Sequence, residues 1–241
     1  MLSICYTCKN RSNLPSEHGD LPLLQRSIAS VLGACINNNI EFEIIISDWK
    51  STDTDYKWLP KQCNLVTVEQ EEFSRGYGRN FSARHAKFDT LLFLDADILI
   101  GKPLVARCIS VLTPPPYFRP VNKLIRSATY NDKTVYFPQC WCLTEEDRKM
   151  DETLLTSRLP AQNKLRFKEG KVIRSGWARQ GFGICGISTK DFNDSGGWPE
   201  YYSWGKEDPH FYDYFVKNEY NIIREKSAGL VHMWHPPQRD V

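Results

Sequence analysis

Short apolar runs alternate with helical patterns through the first half of this sequence, and that alternation restricts the fold more than any other feature. Four apolar runs are typical of strands: Leu2–Thr7, Glu43–Ser47, Asn64–Glu69 and Thr90–Asp95. Helical patterns lie at about Leu21–Asn37, Arg75–Ala86 and Pro103–Leu112, with a further helix or loop around Asp53–Leu59. Strands that are apolar along nearly their whole length are buried on both faces. The pattern therefore predicts an α/β fold in which a mostly parallel central sheet carries helices on both faces.

The second half of the sequence has a different texture. We expect a strand at Thr134–Phe137, and the charged stretch from Glu145 to Lys171 is typical of a solvated helix and loop. From Gly181 onward the chain is rich in Gly, Trp and Tyr, a combination that lets backbone and ring faces approach a ligand. Because 241 residues fit one large α/β domain, we expect a single domain over residues 1–241.

Charge and hydropathy exclude two classes of protein. The sequence has 31 Lys and Arg residues against 29 Asp and Glu residues, with no dense basic patch, so we expect no nucleic-acid partner. The longest apolar runs, Ile44–Ile46 and Leu91–Leu94, fall far below the roughly 20 residues that span a bilayer. The first residues also lack the charged region of a signal peptide. We expect a cytoplasmic protein without a transmembrane segment, for which peripheral association with the inner face of the membrane stays open.

The eight cysteines allow two interpretations. Cys5 with Cys8, and Cys140 with Cys142, have spacings that occur in zinc half-sites. Cys5 nevertheless lies inside an apolar run, and Cys140 and Cys142 flank a tryptophan. Buried or incidental thiols, kept reduced in the cytosol, are the favoured interpretation, and zinc is the alternative.

The strongest local signal is an apolar strand that ends in two carboxylates, Asp95 and Asp97, separated by Ala96. In an open α/β sheet, ligands bind outside the carboxyl ends of the strands. Two carboxylates there repel each other unless a cation compensates them. Magnesium or manganese is typically held by one or two carboxylates together with substrate phosphates. The motif indicates a metal-diphosphate site, and the alternative is an Asp pair that caps the next helix or turn.

Polar side chains also follow the other strands. Thr7, Lys9 and Arg11 follow the first strand, where the two cations could neutralise a phosphate. Asp48 follows the second strand and could accept hydrogen bonds from a base or sugar. Arg75 and Arg79 lie at a predicted helix start, where free N–H groups favour anions. The spacing is not that of a Walker loop, and a nucleotide-sugar pocket fits the pattern better.

A second signal lies at Gly196–Asp208, where a glycine-rich and aromatic segment ends in Glu207 and Asp208. The macrodipole favours negative charge at the start of the helix that follows. Rings beside carboxylates suit a pyranose, whose C–H faces stack while its hydroxyls hydrogen-bond. One carboxylate could act as a general base for a hydroxyl nucleophile. The alternative is an ordinary helix cap with surface aromatics.

Together the motifs resemble those of the GT-A glycosyltransferases. Asp95-Ala96-Asp97 matches the DxD motif of that family, and Trp204-Gly205-Lys206-Glu207-Asp208 is similar to the WGxED segment of the β1,4-galactosyltransferase and chondroitin-polymerase type. The resemblance implies a GT-A fold with a nucleotide-sugar-binding half at 1–112 and an acceptor-binding and catalytic half at 113–241. It also implies transfer of a sugar from a UDP-sugar donor to a glycan hydroxyl, in polysaccharide or surface-glycan synthesis.

The same resemblance implies roles for individual residues. Metal binding falls to Asp97 and His235, with help from Asp95 or His232, and Mn²⁺ is the expected ion with Mg²⁺ as the substitute. Asp208 matches the catalytic base of the inverting enzymes. Glu207, Trp204 and Gly205 are expected at the carbohydrate acceptor. The nucleotide-sugar is expected to contact Thr7, Lys9, Arg11, Asp48, Arg75, Arg79, Asp95 and Ala96.

Departures from the family pattern leave alternatives open. Pro209 and His210 replace acidic residues that follow the base in the galactosyltransferases, which leaves the acceptor undefined. The retaining N-acetylgalactosaminyltransferases usually carry Asn where this chain has Asp208, and this difference favours inversion. A retaining enzyme, a nucleotidyltransferase and a non-catalytic carbohydrate-binding protein are the alternatives. The stretch from Thr7 to Arg11 lacks the glycines expected of a nucleotidyltransferase.

Overall fold

The computed structural model describes residues 1–113, 133–147, 164–168, 171–178, 181–202 and 205–236. Its strands are β1 (Leu2–Cys8), β2 (Phe42–Asp48), β3 (Cys63–Thr67), β4 (Thr90–Leu94), β5 (Ile98–Ile100), β6 (Thr134–Tyr136), β7 (Gln139–Cys142), β8 (Lys164–Lys168), β9 (Lys171–Trp177), β10 (Cys185–Ser188), β11 (Asn221–Ile223) and β12 (Lys226–His232). Its α-helices are α1 (Leu23–Ile36), α2 (Arg75–Arg84), α3 (Lys102–Leu112), α4 (Thr189–Asp194) and α5 (Glu207–Lys217).

A seven-stranded sheet forms the centre, in the order β11-β6-β10-β4-β1-β2-β3. Strands β1, β2, β3 and β4 pair in parallel, whereas β10 is antiparallel to both of its neighbours. Alternate residues of the buried strands serve the two faces. Ile4 and Leu92 pack with α1 and α3 on one face, while Cys5 and Phe93 join α2, α4 and α5 on the other.

A second sheet has the order β5-β12-β7-β9-β8, and its pairing explains how the end of the chain reaches the DxD segment. His232, the last residue of β12, is in register with Ile98, the first residue of β5. The amide N–H of Met233 also donates to the carbonyl of Asp97 at 2.8 Å. Residues 232–236 are therefore held beside Asp97.

The expected elements of the first half are confirmed, with small changes at their ends. The first helix begins at Leu23, since Leu21 pairs with Leu14 and Pro22 occupies the cap position. Residues 53–59 contain no helix. The solvated helix and loop expected at 145–171 is wrong for 164–168, which pairs with β9 as an antiparallel strand. In the described part of the chain no helix has the length and apolar character needed to cross a membrane.

Candidate active site

The sheet topology brings the polar strand ends together. Strand β1 lies between β2 and β4, and all three run parallel, so their carboxyl ends share one edge. That edge carries Thr7, Asp48 and Asp95. Strand β10 runs the other way beside β4, so the residues that precede it, including Gly183, reach the same edge. The start of α5 completes the site.

Asp97 lies at the centre of a cluster of side-chain nitrogen atoms. Its Oδ2 atom is 3.2 Å from Nε2 of His235, 3.7 Å from Nε2 of His232 and 3.2 Å from Nη2 of Arg11. The Nδ1 atom of His235 is 2.9 Å from the carbonyl oxygen of Pro236. A carbonyl oxygen can only accept, so Nδ1 of His235 is the donor in this contact, and Nε2 is the ring nitrogen that faces the cluster.

These residues fit a divalent metal. The ligand atoms of Asp97, His232 and His235 lie within 4.8 Å of one another. The Oδ1 atom of Asp97 is buried and has no hydrogen-bond partner among the described residues. A buried carboxylate oxygen without a partner is costly unless a cation meets it. Burial raises the pKa of Asp97, but the neighbouring His232, His235 and Arg11 outweigh burial and hold that pKa well below its usual range.

Asp95 and Asp208 are joined by a single buried side chain, that of Arg79. Nη2 of Arg79 donates to Oδ1 of Asp95 at 2.9 Å, and Nη1 donates to Oδ1 of Asp208 at 2.5 Å. Burial lowers the pKa of Arg79, but Asp208 and Asp95 raise it by more. The net effect is a raised pKa, so the guanidinium stays charged. For Asp95, burial raises the pKa, and the combined effect of Arg79 and Arg75 keeps it below the ordinary value.

The carboxylate pair of the aromatic segment lies in the first turn of α5, as expected. Glu207 is buried, accepts a hydrogen bond from the amide of Gly205 at 3.1 Å and lies 3.6 Å from Nη1 of Arg75. Asp208 is more accessible, with 18% of its side chain exposed. Of the two carboxylates, Asp208 is therefore the one with more contact with solvent.

Asp48 is buried and holds its own loop. It accepts hydrogen bonds from the amide and hydroxyl of Ser51, at 2.9 and 2.5 Å, and from the hydroxyl of Tyr56 at 2.7 Å. Asp53 accepts from the amides of Ser12 and Asn13 at 2.6 and 2.9 Å. The loop after β2 thereby fixes the loop after β1, which carries Arg11.

Three buried polar atoms between these loops have no hydrogen-bond partner within the described ranges: Thr7 Oγ1, Trp49 Nε1 and Asp53 Oδ1. Buried polar groups in folded proteins are normally satisfied. A polar ligand at this edge would meet that requirement.

The structure also shows the surroundings of two further predicted residues, Lys9 and Ala96. Nζ of Lys9 lies 5.8 Å from the ring centre of Phe73. Ala96 is buried between the two carboxylates. Trp204 lies outside the described residues.

Sequence reasoning missed Trp198, Asn80 and Gly183. Trp198 lies under the Arg79 guanidinium, 4.3 Å from ring centre to Cζ. Asn80 holds the backbone of Trp198 with two hydrogen bonds of 2.8 Å. A side chain at Gly183 would lie 2.5 Å from Arg79 Nη2 and 2.9 Å from Asp208 Oδ2. A glycine directly before a strand was the only available signal for Gly183.

Comparison with known protein families agrees with this geometry. The model of glycosyl transferase family 2 matches residues 3–169, which is more than half of the chain. The chain belongs to glycosyl transferase family 2. The family model described as chondroitin N-acetylgalactosaminyltransferase also matches this chain, over residues 119–240.

Curated relatives include chondroitin sulfate N-acetylgalactosaminyltransferase 2 of Mus musculus, 30% identical over 175 residues. That alignment covers 71% of this chain and 28% of the relative, so the family 2 chain spans under a third of the relative's length. The uncharacterized glycosyltransferase YfnE of Bacillus subtilis is 28% identical over 140 residues, covering 56% of this chain and 34% of YfnE.

Solved structures show the same fold. S. aureus TarS 1-349 superposes with a TM-score of 0.60 at 12% identity, over 96% of this chain and 60% of TarS. TarS 1-349 in complex with UDP-GlcNAc gives the same TM-score at 14% identity, over 98% of this chain and 59% of TarS. The GT-A fold, the α/β class and the membership in a glycosyltransferase family are thereby confirmed.

Proposed function

We propose that this family 2 chain transfers a sugar from a UDP-sugar to a glycan hydroxyl with inversion at the anomeric carbon, as one domain over residues 1–241. The observation that carries the proposal is the Asp95–Arg79–Asp208 bridge. It places an accessible carboxylate of the second half one side chain away from the DxD motif of the first half. The UDP-GlcNAc complex of TarS and the names of the chondroitin relatives support a UDP-sugar donor and a role in polysaccharide or surface-glycan synthesis.

The donor diphosphate would bind beside Asp97, His232 and His235, with Asp95 completing the ligand set. Mn²⁺ is the proposed ion and Mg²⁺ its substitute, because two imidazoles with a carboxylate suit a transition metal. A divalent ion held there supplies Lewis-acid stabilisation of the nucleotide diphosphate. Lys9, Arg11 and Arg75 would add positive charge around the phosphates, and Thr7 and Asp48 would contact the nucleoside.

The reaction is a single displacement. The acceptor oxygen attacks the anomeric carbon from the face opposite the diphosphate, a C–O bond forms, and the bond to the phosphate oxygen breaks with release of UDP. Asp208 takes the proton of the attacking hydroxyl as a general base. No glycosyl-enzyme intermediate forms, so a second catalytic carboxylate is not required, in contrast to retaining hydrolases. Glu207, Trp204 and Gly205 are proposed to hold the acceptor sugar, at the cytoplasmic side of the membrane.

A screen of nucleotide-sugars for metal-dependent nucleotide release, with glycan acceptors present, tests the activity and identifies the donor. We expect transfer with a UDP-sugar and Mn²⁺, and a β-linked product from an α-linked donor by NMR. An α-linked product would indicate the retaining alternative. Neither release nor transfer with any donor would indicate a carbohydrate-binding protein.

Replacing Asp208 with Asn tests the proposed base. General-base catalysis contributes typically 10²- to 10⁴-fold, so we expect Asp208→Asn to lower kcat for transfer by that order. Calorimetry should still detect metal-dependent binding of UDP. Asp213→Asn, on the exposed side of the same helix, is the matched control and should retain kcat. Loss of UDP binding in Asp208→Asn would contradict the assigned role.

A further inference from the structure

The Arg79 side chain is enclosed in the site and not extended toward a ligand. Only 1% of it is exposed. Both terminal nitrogens already donate to carboxylates, at 2.5 Å to Asp208 and 2.9 Å to Asp95. The sequence prediction placed Arg79 against the nucleotide, but both terminal nitrogens are already engaged, and only Nε–H, which is buried, has no hydrogen-bond partner among the described residues.

Packing against Trp198 and Gly183 fixes the guanidinium in this position. It stacks on the ring of Trp198, 4.3 Å from its centre. Trp198 in turn stacks on Phe211 of α5, with ring centres 3.9 Å apart. On the other side, the Arg79–Asp208 pair lies so close to Gly183 that a side chain at that position would not fit. The start of α5, which carries Asp208, and the guanidinium are therefore packed as one unit.

A guanidinium is suited to support a general base. It stays protonated at all relevant pH values, so it stabilises the ionised form of a carboxylate without donating the proton that the base must collect. Its planar fork also fixes the direction of the carboxylate it binds. Since Oδ1 of Asp208 is held by Nη1, Oδ2, which lies beside Gly183, is the candidate oxygen to receive a proton.

We propose that Arg79 is a positioning residue, which orients Asp208 and links it to Asp95 of the donor site. This inference rests on the proposed role of Asp208 as the base. Arg79 acts through Asp208 and touches neither the sugar nor the nucleotide.

The Arg79→Lys variant tests the inference, because lysine keeps the charge but lacks the fork that reaches two carboxylates. With the UDP-sugar identified by the donor screen, we expect kcat for transfer to fall by about tenfold or more. The Kd of UDP with Mn²⁺, measured by calorimetry, should change by less than about threefold. Arg84→Lys, on the exposed end of the same helix, is the matched control and should keep the wild-type kcat. A raised Kd with an unchanged kcat at saturating donor would overturn the inference and make Arg79 a donor ligand.

A double-mutant cycle separates positioning from a structural effect. If Arg79 acts through Asp208, Arg79→Lys should lower kcat little further in the Asp208→Asn background. Additive losses would overturn the inference. Should Arg79→Lys fail to fold, Gly183→Ala provides a second test, because its methyl group would overlap Nη2 of Arg79 and Oδ2 of Asp208 and shift the pair without changing either residue. An unchanged kcat in a folded Gly183→Ala protein would likewise contradict the inference.

The outcomes also distinguish this inference from the proposed function. A wild-type protein that transfers no sugar removes the proposed function and the inference with it. A wild-type protein that transfers sugar, together with an Arg79→Lys variant of equal kcat, overturns the inference alone.

Discussion

Asp97 shows how strongly one side chain can be determined by its neighbours. It follows an apolar strand, it is buried, and it faces two imidazoles from the end of the chain and a guanidinium from the loop after β1. Its Oδ1 atom has no partner in the part of the chain that the structure describes. This combination favours cation binding over the alternative of a helix cap.

We expect Asp97→Asn to abolish the dependence of UDP binding on Mn²⁺. The amide keeps the size of the side chain but removes the negative charge that the metal requires. Mutation of the outer-shell partners of metal ligands typically costs 10- to 100-fold in metal affinity or activity, so loss of a ligand itself should lower transfer by at least about 100-fold. Calorimetric titration of UDP with and without Mn²⁺ measures the effect. Asp55→Asn, an exposed Asp beside Lys57, should behave as wild type. A normal metal response in Asp97→Asn would place the ion elsewhere.

Residue types and spacing predicted the carboxylates of the site but not the connection between them. Asp95, Asp97 and the Glu207–Asp208 pair were predicted from their positions after an apolar strand or at a helix start, and the choice of Asp208 as the base came from the family resemblance. The role of Arg79 could not be predicted, because its partners lie 16 and 129 residues away in the sequence. Only the antiparallel placement of β10 and the packing of α5 bring them together.

At the scale of the element, α2 is positioned by close approach to the sheet. A methyl group at Gly78 would overlap Oγ1 of Thr7 and lie 2.5 Å from the ring of Trp49. The same helix is capped by Ser74, whose hydroxyl accepts a hydrogen bond from the amide of Tyr77 at 3.2 Å. Close packing of α2 on β1 therefore sets the position of Arg79 over the sheet edge.

Two glycine substitutions should shift stability in opposite directions. Overpacking typically costs 1–3 kcal/mol, so Gly78→Ala should lower the free energy of unfolding by about that amount. Gly33→Ala, in α1 with no atom within 4 Å of the added methyl, should raise it by about 0.5–1 kcal/mol. Urea denaturation of both variants checks the pair. Equal destabilisation would show that helical glycine itself, and not the contact with Thr7 and Trp49, decides the effect.

As with individual residues, the elements that could be predicted are those with a clear local sequence pattern, and those defined by distant pairing were missed. Strands β1, β2 and β4 were evident because each is a nearly continuous apolar run, and β1 and β3 are each followed by a helix. The second sheet was missed, since β5 has three residues and its partner β12 is 126 residues further along, from Ile100 to Lys226. In β8, Leu165 and Phe167 alternate with charged residues, and this period-two pattern was hidden within a stretch judged by its charge alone.

At the scale of the whole molecule, a side-chain amide ties the two halves of the sequence together. Asn80 on α2 donates to the carbonyl of Trp198 and to Glu200, and accepts from the amide of Trp198, each at 2.8 Å. Gly197, at a φ of +81°, directs the backbone into these contacts. The first half thus holds the ring on which Arg79 rests.

We expect Asn80→Asp to loosen this junction in a pH-dependent way. The introduced carboxylate still accepts from the Trp198 amide, but when ionised it cannot donate. The hydrogen bonds to the carbonyl of Trp198 and to Glu200 are therefore lost. These hydrogen bonds are part-buried or exposed, so their loss should cost about 1 kcal/mol, the low end of the range for unmade buried hydrogen bonds, and lower the free energy of unfolding by that order at pH 7. Asn64→Asp, exposed on β3, is the control. Because a protonated carboxyl can donate again, the difference should shrink as the pH falls toward about 4, near the ordinary pKa of Asp. Thermal unfolding at several pH values measures this, and a loss that stays constant with pH would show that the Asn80 donor does not hold the two halves together.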